Sequence, residues 1–155
     1  MKDGKLDEEK VKQTVTTAIR MLDNVININY YSVETSENSN MKHRPIGLGL
    51  MGFQDTLYMQ NISYNSQEAV DFADRSMELI SYYAINASSD LAKERGTYKT
   101  YEGSLWSQGI FPKDSLKILK ENRGEDYINV DETETLDWEE LRKKVKTQGM
   151  RNSNV

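Results

Sequence analysis

Three glycines in the stretch RPIGLGLMGF (44–53), Gly47, Gly49 and Gly52, spell G-x-G-x-x-G. Glycines at this spacing can let a turn cradle a pyrophosphate at a helix N-terminus. Such a loop needs a strand running into its first glycine and an acidic residue roughly 20 positions on, at the end of the next strand. Here only Pro45 and Ile46 precede Gly47 after a polar stretch, and a proline interrupts the bonding of a central strand. Glu68 and Asp71 fall within a long helical pattern instead. The alternative is steric: Gly47 and Gly49 share a face of a short strand, Gly52 opens a helix, and the missing side chains admit a neighbouring backbone. The steric reading fits better.

Other residues invite chemistry and have plainer readings beside it. Lys42, His43 and Arg44 form a cationic cluster ahead of a possible helix N-terminus, where an anion could bind; surface charge anchoring a loop is the favoured alternative. The pairs Tyr30–Tyr31 and Tyr82–Tyr83 resemble a radical relay superficially, but their places in helical stripes favour packing. Asp55, Glu94 and Glu102 show no spacing that sets two carboxylates beside a nucleophile, so solvated charge or capping is expected. Trp106 and Trp138 read as packing residues. With no cysteine and a single histidine, His43, the sequence offers no disulfide, no thiolate nucleophile and no two-histidine metal site.

These residues must be positioned by helices. LDEEKVKQTVTTAIRMLDNVI places Val11, Val15, Ala18 or Ile19, Leu22 and Val25 on one face, with Asp7 as N-cap. A polar connection, NYYSVETSENSNMKHRP, leads to the glycines and a short helix within LMGFQDTLYMQ. The strongest pattern follows Asn65 and Glu68, which have the form of a capping box, and ends at Gly96. Its stripe is Ala69, Ala73, Met77, Ile80, Ala84, Ala87 and Leu91, and the helix would be about 45 Å long. Two shorter helices are expected, one from Pro112 to a stop at Gly124, the other capped by Asp137 with Glu140 and stopped by Gly149. A single helical turn is expected in TYKTYEGSLWSQGIF. PIGLG (45–49) is the best short strand, and Val155 enters a second.

Composition excludes several partners. The 20 basic residues against 25 acidic ones leave no basic stripe for nucleic acid. No apolar run approaches the roughly 18 residues needed to span a membrane, and the N-terminus lacks a signal-peptide core. A cytoplasmic address is expected, and the sequons at Asn61 and Asn86 read as chance.

Four stretches, in their order and spacing, carry a family resemblance: LDNVININYY (22–31), RPIGLGLMGFQDTLY (44–58), ISYYAINASSDLAKERGTYKTYEGSLWSQGI (80–110) and LDWEELRKKVKTQGMRNSNV (136–155). Together they resemble the large (alpha) subunit of aerobic class I ribonucleotide reductase over essentially the whole chain. Cobalamin-dependent class II reductases share the IGLGLMGF type of segment, whereas TYEGSLWSQGI and GMRNSNV look more like class I.

The resemblance implies a predominantly helical segment with one or two short strands, residues 1–155 being a single piece of a ten-stranded α/β barrel and not a complete domain. It implies reduction of ribonucleoside diphosphates through a thiyl radical, with a metal-containing radical-generating small subunit and a dithiol reductant as partners of the complete enzyme. In that family the radical cysteine lies in an Asn-x-Cys-x-Glu finger loop, two further cysteines supply electrons, two tyrosines relay the radical near the C-terminus, and a Pro-x-x-Thr-x-Ser loop holds substrate phosphate. None of these motifs occurs here. The finger loop would lie upstream of Met1 and the phosphate loop just beyond RNSNV. The expectation is therefore an internal fragment that binds no cofactor, has no catalytic residue, and acts as scaffold for the remaining segments of the large subunit. Arg151 and Asn152 would support the phosphate loop from behind. Two alternatives stay open: a stand-alone interaction module derived from a reductase segment, and a nucleotide-binding protein using Gly47, Gly49 and Gly52.

Overall fold

The computed structural model describes residues 6–128 and 130–155. Its helices are α1 (Glu8–Ile28), α2 (Glu34–His43), α3 (Phe53–Met59), α4 (Gln67–Arg95), α5 (Leu105–Gln108), α6 (Ser115–Arg123) and α7 (Trp138–Gln148), with 3-10 turns at Pro112–Asp114 and Glu125–Tyr127. None of the described helices is long and apolar enough to cross a membrane.

Local chemistry sets most of the boundaries. The Asp7 carboxylate accepts from the Lys10 N–H at 3.0 Å and starts α1. α4 is capped by Ser66, whose hydroxyl oxygen accepts from the Ala69 N–H at 3.2 Å, one residue later than the expected Asn65 box. Gly96, at φ +83°, ends it where a side chain would be strained. Asp137 accepts from the Glu140 N–H at 2.8 Å and starts α7. The helix α2, absent from the sequence reading, buries none of its residues, so it has no apolar period to betray it. Glu34 and Glu37 at its start and Lys42 and His43 at its end complement the helix dipole.

α4 is the spine. α1 packs on one side and α7 on another, which is why its C-terminal half is buried nearly all round with small residues, Ala84, Ala87, Ser88, Ser89 and Ala92. Against α1, Ala84, Ala87 and Leu91 meet Val15, Ile19 and Ile26. Against α7, Ile85 joins Phe111, Leu141, Val145 and Met150, framed by edge-on contacts of Trp106 with Phe111 (5.3 Å) and of Tyr82 with Trp138 (5.4 Å). Both tryptophans and the Tyr82–Tyr83 pair pack as expected. By contrast, Met77 of the predicted stripe is 47% exposed and Tyr30 is 87% exposed.

The loop entering α7 is clamped to α4 by Glu78. Its carboxylate accepts from the backbone N–H of Thr135 (2.9 Å) and Leu136 (3.2 Å), from the Trp138 indole (3.0 Å), and from the Thr135 hydroxyl. Burial pushes the Glu78 carboxyl up, but these donors together outweigh it and hold the group below its ordinary value.

The expected strands do not form: among the described residues there is no β-strand, and the expectation of a predominantly helical piece of an α/β barrel with one or two short strands is corrected to a helical segment with none. Residues 43–46 and 152–155 do lie side by side, joined by two backbone hydrogen bonds, although Arg44 is left-handed. Ser153 donates its N–H to the His43 carbonyl (3.1 Å) and Ile46 donates its own to the Asn154 carbonyl (3.2 Å). The carbonyls of Arg44 and Ile46 are taken instead by the side-chain amides of Asn152 (3.1 Å) and Asn154 (3.3 Å). Side-chain amides occupy acceptor positions that a ladder would give to backbone N–H groups, so pairing stops short of a strand.

Removing the Leu141 side chain, 1% exposed at the α4–α7 seam, leaves a void that its neighbours cannot fill. Leu141→Ala is expected to lower unfolding free energy by about 2–5 kcal/mol in denaturant titration. Ile118→Ala, at a 49% exposed position on α6, should change it by no more than about 0.5 kcal/mol.

Candidate functional site

Asp23 sits on the buried face of α1, in register with Val15, Ile19 and Ile26, and is 0% exposed. A carboxylate there must be paired, since an isolated buried charge is costly by several kcal/mol. Arginines from three separate segments supply the pairing. Arg44 donates to Oδ1 through Nε (2.8 Å) and Nη2 (2.7 Å), and Nη2 also reaches the Asp23 carbonyl (2.8 Å). Arg95 Nη1 donates to Oδ2 at 2.9 Å, and Arg151 Nε lies 3.3 Å from Oδ1 and 3.4 Å from Oδ2. The Asn152 amide adds a longer bond to Oδ1 (3.3 Å).

The surroundings fix these groups in turn. Arg44 ends α2 in the left-handed conformation at φ 49°, a strain of roughly 1–3 kcal/mol that persists because its side chain is buried and tied to Asp23 and Asn27. Ser88 on α4 donates its hydroxyl to Asn152 Oδ1 (2.9 Å) and accepts the Asn152 N–H (3.2 Å), while its carbonyl accepts the Arg151 N–H (3.2 Å). Arg151 Nη1 bridges the carbonyls of Arg95 and Gly96, each at 3.1 Å. The turn from α7 into these residues needs Gly149: its φ is +80°, and an added Cβ would lie 2.2 Å from Thr97 Cγ2.

Burial alone would raise the Asp23 carboxyl. The bond and charge of Arg44, the charge of Arg151 and the bond from Arg95 outweigh it and hold the group below its ordinary value. At the solvent edge, Glu94 accepts from both terminal nitrogens of Arg20 (2.9 and 2.6 Å) and from Arg95 Nε (3.2 Å), and its carboxyl falls to about 2. Every acid here stays ionised near neutrality and every guanidinium stays charged, so the cluster anchors electrostatically and is not poised for proton transfer.

Both residues singled out from the sequence, Arg151 and Asn152, belong to this cluster. The glycines do not. A Cβ built at Gly47 or Gly49 meets nothing within 4 Å, so no described residue makes the close approach that the steric reading anticipated. Gly52 precedes α3 at φ +76°, which explains that one glycine by conformation. No strand leads into Gly47, and α3 has only seven residues. Lys42 and His43 close α2 instead of preceding a helix, with His43 Nδ1 2.8 Å from Thr100 Oγ1. Arg44 is the correction that matters most, a buried ion-pair partner and not a surface charge.

Asp23, Ser88 and Arg95 were not picked out from the sequence, and Arg44 was picked out only as surface charge. One signal was present: Asp23 lies four residues after Ile19 and three before Ile26, an acid set into an apolar face. The molecule also has a cleft of about 600 Å³ between α4 and α6, lined by three lysines, of which Lys113 and Lys120 are paired with Glu134 and Glu132. None of the predicted site residues lines it.

Replacing Asp23 by asparagine leaves three guanidiniums without their shared carboxylate. Asp23→Asn is expected to cost about 3–5 kcal/mol of stability at neutral pH. The Asp23 pKa is lower folded than unfolded, so its contribution is full above the unfolded value of about 3.9 and disappears as pH falls through the folded one. Equilibrium unfolding followed from neutral pH down to acid should show the native chain losing stability below pH about 4, with the Asp23→Asn variant losing less over that window.

Comparison with known proteins agrees with the resemblance. The family model described as "Ribonucleotide reductase, barrel domain" matches residues 1–155. The chain is 54% identical over 155 residues to the ribonucleoside-diphosphate reductase subunit alpha of Chlamydia pneumoniae, covering 100% of this chain and 15% of that protein. The corresponding Helicobacter pylori (strain ATCC 700392 / 26695) subunit is 42% identical over 150 residues, 94% of this chain and 18% of its own length. The Vaccinia virus (strain Copenhagen) large subunit is 38% identical over 151 residues, 97% and 18% respectively. This chain thus spans 15–18% of the length of these curated relatives. Matched along its whole length, with the glycine stretch and the arginine-bearing segments included, the chain belongs to the ribonucleotide reductase large-subunit family.

Proposed function

We propose that this chain is a scaffold element of a ribonucleoside-diphosphate reductase large subunit and is inactive by itself. The observation that carries the reading is the Asp23 cluster. It binds α1, the end of α2, α4 and the residues after α7 into one unit, and its carboxylates, held low by the arginines, do not exchange protons near neutrality. A sequence without cysteine has no side chain for a thiyl radical or a redox pair. On this reading the chain works in the cytoplasm with the other segments of the large subunit. The radical-generating small subunit and the dithiol reductant act on the complete enzyme.

Arg151 and Asn152 then support the segment that follows Val155. Their side chains are fixed by Asp23, Ser88 and the carbonyls of Arg44, Arg95 and Gly96, so they hold the direction in which the backbone leaves α7. An exposed apolar groove of about 240 Å³, lined by Val11, Val15, Ala18, Leu48, Leu50 and Ile80, favours a chain that is covered by other polypeptide.

Purified chain supplied with ribonucleoside diphosphate, a small subunit and a dithiol should form no deoxyribonucleotide, and measurable turnover would overturn the scaffold reading. In a complete large subunit, Arg151→Ala should raise KM for the nucleotide about tenfold, the effect of losing roughly 1.4 kcal/mol of support, with a smaller change for Arg151→Lys. An unchanged KM removes the supporting role of Arg151.

A further inference from the structure

The residues that lead into α7 bridge the two sides of the cleft between α4 and α6. On the α6 side, Glu132 pairs with Lys120, and Glu134 with Lys113 just before the helix. On the α4 side, Glu78 accepts from the N–H groups of Thr135 (2.9 Å) and Leu136 (3.2 Å). Asp131, Glu132, Thr133 and Glu134 thereby form a third wall of the cleft, whose lining also includes the apolar side chains of Ile85 and Leu116.

Charge is what holds this wall in place. Residues 130–135 are all exposed, and α6 buries none of its own residues. Among the described residues, no backbone-to-backbone hydrogen bond joins 130–136 to α4 or α6. The Thr133 N–H is taken by Asp131 within the segment, at 2.8 Å. The hydrogen bonds that do reach α4, α6 or Lys113 all involve a carboxylate, of Glu78, Glu132 or Glu134. The flanks are firmer. Phe111 is buried before α6, Asp114 is held by Arg142 at 2.7 and 3.1 Å, and Trp138 is buried at the start of α7.

We propose that residues 131–136 form a strap latched by charge, which opens as one piece and unwalls the cleft while α4 stays packed against α1 and α7. The two lysine–glutamate pairs are partly exposed, and ion pairs of that kind contribute little each and are screened by salt. The strap therefore lies at the low-stability end of the molecule. Behind it the helices are joined by buried apolar side chains, among them Ile19, Ile85, Leu141 and Val145, whose packing does not depend on charge. With the strap open, the cleft becomes a groove between α4 and α6. None of these contacts depends on the scaffold reading.

The test is amide hydrogen exchange of the 155-residue chain, followed residue by residue by NMR at neutral pH and low salt, each rate corrected for its local sequence. The reporters are the Thr135 and Leu136 N–H groups, which are bonded to Glu78 and to neither strap glutamate. Replacing both, Glu132→Gln with Glu134→Gln, should speed their exchange about fivefold, while Ile85 and Val145 stay within about twofold. Salt at about 0.5 M should do the same to the unaltered chain and add little to the double variant. Glu132→Lys should open the strap further, and adding Lys120→Glu should bring the rates back, which separates a lost ion pair from a disturbed fold. Reporters that do not respond to the double variant overturn the proposal. So does an acceleration shared equally by Ile85 and Val145, or a charge swap that leaves the rates as fast as Glu132→Lys alone.

Discussion

One carboxylate organises this molecule. Asp23 lies where α1 packs against α4, on a face otherwise made of valine and isoleucine, and water cannot reach it. A buried charge of this kind does not stabilise a fold merely by being paired, because desolvation cancels much of the Coulomb gain. What it imposes is a condition: the chain is stable only in arrangements that bring guanidinium groups to that point. Arg44, Arg95 and Arg151 meet the condition from three places, and satisfying it fixes how α2 ends, how α4 ends and where the chain goes after α7.

The apolar packing is arranged around that point. α4 carries small residues through its C-terminal half, so two helices can approach it closely, and two separate clusters of side chains form on either flank. Val155 packs against both clusters, and the residues before it run beside those that follow α2. The polar cluster and the two apolar ones are therefore mutually dependent. Moving α1 relative to α4 would expose Ile19 and unpair Asp23 in the same step.

This chemistry also limits what the segment does. Carboxylates held low by arginine do not exchange protons near neutrality, so the cluster suits positioning. The chain matches 15–18% of the length of its relatives in the family.

Much of the helical framework was legible from sequence because its determinants are local. Asp7, Gly96, Gly124, Asp137 and Gly149 all mark helix ends, and each acts through bonds or dihedrals within a turn of its own position. The family could be read from four long stretches for the same reason: the residues that carry it are contiguous. The helix α2 escaped because it buries nothing and so has no apolar period. The strands anticipated at 45–49 and Val155 failed because a strand exists only through its neighbours, and here two asparagine side chains take the acceptors that a ladder would use. Asp23 meets Arg44, Arg95 and Arg151 across separations of 21, 72 and 128 residues. Such contacts leave no periodicity and no motif. The sequence by itself determined the helices that bury an apolar face, their stops and the family; the tertiary structure alone decided which charges meet, because that depends on three distant segments folding onto one buried carboxylate.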